Sequence, residues 1–367
     1  MAYYSVDEVE SAIASLASTY PNSCQLIELQ NRTIEGRVIH ALNIGRGLDD
    51  HNKSGILFTA AAHAREWGGS EICIYLAADL LEAYKRKTGL KYEGDGGGKY
   101  FTADQVQSVV EDLNVLLVPC INPDGRHYSQ TVESLWRRNR NPAKSGGNPD
   151  CVGVDLNRNY DFLWNFKNLF SPDAVVRTSD DPCDQNQTYC GPSPFSELET
   201  QNVKWLLDKY PTVKFHVDIH SYSELILYCW GDDQYQSDDP QQNFTNPTYN
   251  RKRGIRNDEA YKEYVPKVDM DTAKDLANHI YDGIRAVNHN EYAVESAFDL
   301  YATSGTGQDY SQSRHFSNSD NNKILSFTIE FGKEFHPQWQ EMERVVKEVD
   351  AGLLNFCLGV EGQQKNK

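Results

Sequence analysis

The chain has 367 residues, with 36 Lys plus Arg against 53 Asp plus Glu and a formal net charge of -17. That acidic balance argues against nucleic acid or an anionic membrane as partner, and no run of about 18 apolar residues is present to span a bilayer. At this length, with 39% apolar residues, the chain can bury one large core or two ordinary ones.

Met1–Ser5 lacks the basic start and apolar stretch of a signal peptide. Ser5 with Glu8 then forms a capping-box pattern that opens a helix through about Ser18, closed by Pro21. Ile56–Ala62 reads as a short buried strand, followed by a helix over Ser70–Lys85 with Ile72, Leu76 and Leu80 along one face. A strand is predicted over Val115–Ile121 and a helix over Ser196–Tyr210. Strands follow at Val213–Ile219 and Ile324–Ile329, and helices at Asp271–Val287 and Trp339–Leu358. Alternation of this kind predicts an α/β fold with a largely parallel or mixed sheet, flanked by helices on both faces. Glu93–Lys99 and Asn141–Asp150 read as irregular, and Gly231–Arg256 as a long surface excursion. With no linker and no repeat, the expectation is one domain over residues 1–367, its core between about 4 and 358.

The eight cysteines contain no CxxC pair, so a cysteine-rich metal site is not expected. Cys73, Cys120 and Cys357 lie in apolar patterns and read as buried thiols. Cys151, Cys183 and Cys190 fall in polar loop sequence, where disulfides are usual. Four N-x-[ST] triplets, at Asn31, Asn52, Asn186 and Asn243, are compatible with secretion. The expected location is therefore extracellular, with the cytosol as the alternative.

The chemistry-bearing residues gather at strand ends, where open α/β sheets place their sites. His63 and Glu66 follow the Ile56–Ala62 strand, three residues apart, a spacing that lets imidazole and carboxylate converge on one ion. The plain alternative is a helix-start His with a Glu favoured by the helix dipole. His220 ends the Val213–Ile219 strand and would complete a set of two His and one carboxylate, which leaves a zinc ion one open position. His216, four residues back on the same strand, competes for that role. Glu330 closes another apolar strand, where a carboxylate is costly unless it is paired, functional or at the edge. Beside a polarised water it would serve as general base. Arg137 and Arg158 offer forked guanidinium groups suited to a terminal carboxylate or a developing oxyanion, whereas Arg138 and Arg140 read as solvated surface.

With these residues in view, the chain resembles the carboxypeptidase A/B-type zinc metallocarboxypeptidases, over about Tyr4 to Leu358. The resemblance rests on seven segments in order: His63-Ala-Arg-Glu66, Asn122-Pro-Asp-Gly125, Leu135-Trp-Arg137, Gly153-Val-Asp-Leu-Asn157-Arg158-Asn159, His220-Ser-Tyr-Ser223, Tyr301-Ala-Thr-Ser-Gly305 and Phe327-Thr-Ile-Glu330. It implies a mixed, mostly eight-stranded twisted sheet and one Zn2+ held by His63, Glu66 and His220. Glu330 then resembles the base and proton shuttle, and Arg137 the oxyanion partner. Asn157, Arg158 and Tyr301 resemble the clamp for the substrate's free carboxylate, and Arg65, Ser221 and Tyr222 the contacts to upstream residues. Cys151 and Cys183 resemble a family disulfide pair, and Cys190–Cys229 is a further possible bridge.

The departure from the family lies at the floor of the terminal side-chain pocket, where an aliphatic residue or an Asp is usual and Gln308 stands here. Leu227, Gly231, Thr303 and Thr328 are expected to line that pocket, with Asp299 adding negative character if it points inward. A neutral amide suits neither a basic nor a large apolar side chain. The implied partners are peptide or protein C-termini, for a monomer. The alternatives are a cell-wall muropeptide amidase on the same fold, or an inactive peptide-binding relative, although the ligands, Glu330 and the clamp residues are all present.

Overall fold

The computed structural model describes residues 3–46 and 52–365. Met1 and Ala2 lie outside the described residues. Helix α1 (Val6–Thr19) opens on the expected capping box: the Glu8 amide donates to Ser5 Oγ and the Ser5 amide to Glu8 Oε2. Within the described residues eight strands form the main sheet. They are β1 (Cys24–Glu28), β2 (His40–Ile44), β3 (Ser54–Ala60), β4 (Leu113–Val118), β5 (Val213–His220), β6 (Leu225–Tyr228), β7 (Ala293–Ser296) and β8 (Leu325–Glu330).

Their spatial order is β1-β2-β4-β3-β5-β8-β6-β7. The centre is parallel: β4 with β3, β3 with β5, and β5 with β8. Antiparallel pairs flank it, β1 with β2, β2 with β4 and β6 with β8, while β7 runs parallel to β6. This is the mixed sheet expected from the sequence. Every residue of β3 and β4 is buried, because helices cover both faces of a parallel centre and leave no polar side to the strand.

The helices α2 (Gly68–Arg86), α3 (Ala103–Asp112), α4 (Pro123–Thr131), α5 (Leu198–Lys209), α6 (Lys267–Asn288), α7 (Gly307–Ser317) and α8 (Trp339–Lys365) flank this sheet. Helices α6 and α8 cross closely because both are glycine at the contact. A Cβ on Gly283 would lie 2.6 Å from the Gly352 Cα and 2.5 Å from the Ala351 carbonyl oxygen. Only a residue without Cβ allows that approach.

Two expectations need correction. Arg138 is 1% exposed rather than solvated. It donates to the carbonyls of Pro182 and Asp150, and its guanidinium lies 5.0 Å over the Trp136 ring. The Gly231–Arg256 excursion is polar in sequence, yet its root is interior. Trp230, Asp232 and Arg253 are fully buried, with Arg253 Nε 3.9 Å from Asp232 Oδ2 and its guanidinium over the Tyr261 ring.

Cys151 and Cys183 are disulfide-bonded. Cys190 and Cys229 are not: both are buried thiols, one against the Gly191 carbonyl and the other, at the end of β6, against the Ser326 carbonyl of β8. Cys73, Cys120 and Cys357 are buried thiols as expected. Among the described residues no helix is long and apolar enough to cross a membrane.

Candidate metal centre and substrate cleft

Because β3, β5 and β8 are parallel neighbours, their C-terminal ends meet at one edge of the sheet. His220 is the last residue of β5 and Glu330 the last of β8, and the two are register partners. The chain leaves β3 through Ala61, at φ 55°, and its turn into α2 carries His63 and Glu66. The Ala64 amide donates to the Arg137 carbonyl, which pins that turn to the arginine segment.

His63, Glu66 and His220 are all buried, and each offers a ligand atom within 4.8 Å of the others. Both imidazoles turn Nδ1 inward: His63 Nδ1 is 2.7 Å from Glu66 Oε1, His220 Nδ1 is 2.8 Å from Glu66 Oε2, and the two Nδ1 atoms are 3.1 Å apart. Behind them, His63 Nε2 meets Asp155 Oδ1 at 3.1 Å and His220 Nε2 meets Asp218 Oδ2 at 2.8 Å. A carboxylate behind each imidazole fixes its tautomer and aims the other nitrogen at the centre. Two such imidazoles with one carboxylate suit Zn2+ as a donor set. His216 lies deeper, between Thr59 Oγ1 at 2.8 Å and Ser311 Oγ at 2.9 Å, and burial holds its imidazole down at about 4.

Asp155 and Asp218 are the two residues of this centre that no motif assigned a role. Asp218 could be suspected as a carboxylate standing between His216 and His220 on one face of a single strand. Asp155 sits inside the quoted Gly153–Asn159 segment but looks there like any loop aspartate. It also accepts from Arg137 Nε at 2.9 Å and from the Asn157 amide at 3.0 Å. Burial alone would raise its carboxyl, but the charges of Arg137, His63 and Arg158 hold it well below the usual carboxylate range.

The centre opens on a cleft of about 260 Å³. Glu330 lines it, and burial raises its carboxyl, with the Glu66 charge adding and the His220 and Arg137 charges opposing. Arg137 and Arg158 face the same space, as do Asn157 and Tyr301. Arg158 is 3% exposed and donates to the carbonyls of Arg177 and Asn157, which leaves part of its fork free. Asn157 Oδ1 accepts from the Gly307 amide at the start of α7, and its Nδ2 stands 3.4 Å from His220 Nε2. At the outer rim Arg65 lies 4.2 Å over the Phe335 ring, against which Tyr222 also packs, and Ser221 Oγ donates to the Phe335 carbonyl.

Gln308 is not in the cleft itself but in an adjoining hollow of about 40 Å³ that shares Asn157, Arg158, Tyr301 and Glu330 with it. Its Oε1 accepts from Thr328 Oγ1 at 2.7 Å, and Leu227, Thr303, Thr306 and Asp309 also line the hollow. A Cβ on Gly231 would stand 2.7 Å from Thr303 Oγ1. Asp299 points elsewhere, accepting from Ser296 Oγ at 2.9 Å and lying 3.7 Å from Arg256 Nη1 near the surface.

The loop after Tyr301 turns at Gly305, whose φ is +67° and whose Cβ would fall 2.3 Å from the Arg158 carbonyl oxygen. Gly305→Ala should cost about 1–3 kcal/mol, from the left-handed conformation and the clash together. Urea denaturation of the two proteins measures it, and an unchanged midpoint would show that the loop relaxes freely.

Comparison with known proteins agrees with this geometry. A family model described as zinc carboxypeptidase matches residues 9–351. Carboxypeptidase B of Astacus astacus is 28% identical over 312 residues, covering 84% of this chain and 82% of that protein. The inactive metallocarboxypeptidase ecm14 of Talaromyces stipitatus is 26% identical, over 94% of this chain. Zinc carboxypeptidase A 1 of Drosophila melanogaster is 31% identical over 62% of this chain. The matched regions span 48% and 46% of those two longer proteins. Among solved structures, carboxypeptidase A from Helicoverpa armigera superposes with a TM-score of 0.74 at 21% identity, over 99% of this chain and 75% of that one.

Proposed function

The chain belongs to the zinc carboxypeptidase family, and from that premise we propose that it hydrolyses the last peptide bond of peptides and proteins. The observation that carries this reading is the convergence of His63, Glu66 and His220 within 4.8 Å, beside Glu330 and at the foot of a cleft edged by guanidinium groups. Zn2+ bound by those three side chains would supply Lewis-acid polarisation of a water and of the scissile carbonyl. Glu330 takes the proton of the attacking water and passes it to the leaving nitrogen. Arg137, anchored on Asp155, turns its remaining N–H groups toward the oxyanion. The free fork of Arg158, with Asn157 and Tyr301, holds the terminal carboxylate and restricts cleavage to the last residue. Arg65, Ser221 and Tyr222 steady the residues before it.

The family includes proteins named as inactive, so turnover itself is the test. The zinc-loaded chain should release the last residue from a panel of peptides that differ only there, lose that activity with a chelator, and regain it with Zn2+. A chain that binds zinc but releases nothing from any peptide would instead be a peptide-binding relative. Release from muropeptides alone would point to the cell-wall reading.

We further read the terminal residue as small, neutral and polar. The side pocket is only about 40 Å³, with the Gln308 amide, Thr328 and Thr303 in its lining, and the carboxyl of Asp309, which also lines it, is taken up by the Gly231 amide and the Thr306 hydroxyl. Gln308→Asp should raise the ratio of kcat/KM for Lys-terminal over Ser-terminal peptides by about tenfold or more, as an added charge partner favours a basic side chain. An unmoved ratio would remove Gln308 from the pocket floor.

We take residues 1–367 as one catalytic domain acting as a monomer. The Cys151–Cys183 bridge favours an oxidising, extracellular location.

A further inference from the structure

A second hollow, of about 240 Å³, lies between α2, the short strand Leu90–Tyr92 and α8, and shares no residue with the cleft. Tyr75 and Trp339 form one wall, their ring centroids 6.4 Å apart at 41°. Asp79 and Asp350 also line it. Asp350 is 0% exposed, and neither of its carboxylate oxygens has a hydrogen-bond partner among the described residues. A buried carboxylate without partners is costly, and burial pushes this one, and Asp79 with it, above the usual range.

The lining carries three carboxylates, with Glu343 the third, and one cation, Lys347. Lys347 is held at the rim by Glu343, 3.4 Å away, both side chains about half exposed. A cation entering beside Asp350 and Asp79 would favour their ionised forms and offset the cost of burying them, so the lining selects a cation. A bare metal ion is a poor fit, because among the described residues the one metal-competent cluster of His, Cys, Asp or Glu is that of His63, Glu66 and His220. Aromatic faces suit an organic cation instead, through the ring quadrupole and the apolar stem. The volume lies below the range of ordinary drug-sized pockets, about 300–1,000 Å³, so the ligand is compact.

We propose that this hollow is a second binding site, for a small primary alkylammonium, with its charged head on Asp350 and its stem against Tyr75 and Trp339. The probe is n-butylammonium, titrated calorimetrically into the full zinc-loaded chain, with n-butanol as its neutral counterpart. Butylammonium should bind saturably, and butanol about tenfold more weakly or worse, since a charged hydrogen bond is lost. Asp350→Asn should weaken butylammonium binding about tenfold or more while peptide hydrolysis stays unchanged. The proposal is overturned if the native chain gives no saturable heat, if butanol binds as well, or if Asp350→Asn binds like the native chain. Should Asp350→Asn fail to fold, Trp339→Leu takes its place. Weaker binding in that variant supports the site, and unchanged binding overturns it.

Discussion

Glu330→Gln should lower kcat by about 10³-fold, within the range expected for removing a positioned proton-transfer group, while zinc stays bound at one ion per chain. The two halves of that result come from different parts of the structure. Glu330 ends β8 and faces the cleft, whereas the ligand atoms come from the β3–α2 turn and from β5. The amide keeps the size of the carboxylate and removes only its basicity, so the metal centre and the clamp remain in place. Burial and the Glu66 charge raise the Glu330 carboxyl, and a divalent cation beside it opposes that rise. A group poised in this way can both accept a proton from water and release it to an amine. Zinc content by atomic spectroscopy and turnover on the preferred peptide measure the two halves. A variant that keeps more than a tenth of native turnover would sink the proposed role. Loss of zinc together with activity would show instead that Glu330 serves the centre structurally.

Much of this centre could be read along the chain because each proposed ligand and Glu330 closes or follows a strand signal in the sequence. The signal at Ile56 is a continuous apolar run, whereas Val213–His220 and Leu325–Glu330 alternate apolar with polar residues, every second position being Val, Phe, Ile or Leu. The outer strands are fainter. β1 has two exposed residues among its five, and β7 is four residues long with only Ser296 buried, so neither carries a sustained pattern. Helix α3 had a readable start, the reciprocal Thr102–Gln105 box, but only three of its ten residues, Val106, Val109 and Val110, are buried. Arg138 misled for the opposite reason. A run of three arginines in four residues looks solvated, and only the fold brings up the distant carbonyls and the Trp136 ring that hold one of them inward. The carboxylates behind the imidazoles depend on tertiary geometry in the same way. Asp155 lies 92 residues from His63, and nothing local marks it as a partner.

Asp155 is also where the strongest coupling in the site should be found. Its Oδ1 faces the His63 imidazole and its Oδ2 takes the Arg137 guanidinium, so one side chain orients a proposed metal ligand and the proposed oxyanion donor. Asp218 touches the other imidazole, His220, and its second oxygen accepts from Thr59 Oγ1 at 2.7 Å. Removing either negative charge should weaken zinc binding by about 10–100-fold, the usual effect of losing a carboxylate behind a ligating imidazole. The two variants should part once zinc is saturating. Asp218→Asn should then recover kcat near the native value, because nothing it touches faces the scissile bond. Asp155→Asn should stay at least about tenfold low, since Arg137 has lost the anchor that aims it and a misplaced oxyanion donor costs rate. Metal titration against a competing chelator, followed by kcat at saturating Zn2+, separates affinity from positioning. If both variants recover equally, Asp155 acts through the metal alone and the arginine finds its own place. If neither weakens zinc, the carboxylates do not orient the imidazoles, and the inward-facing Nδ1 atoms owe their direction to packing.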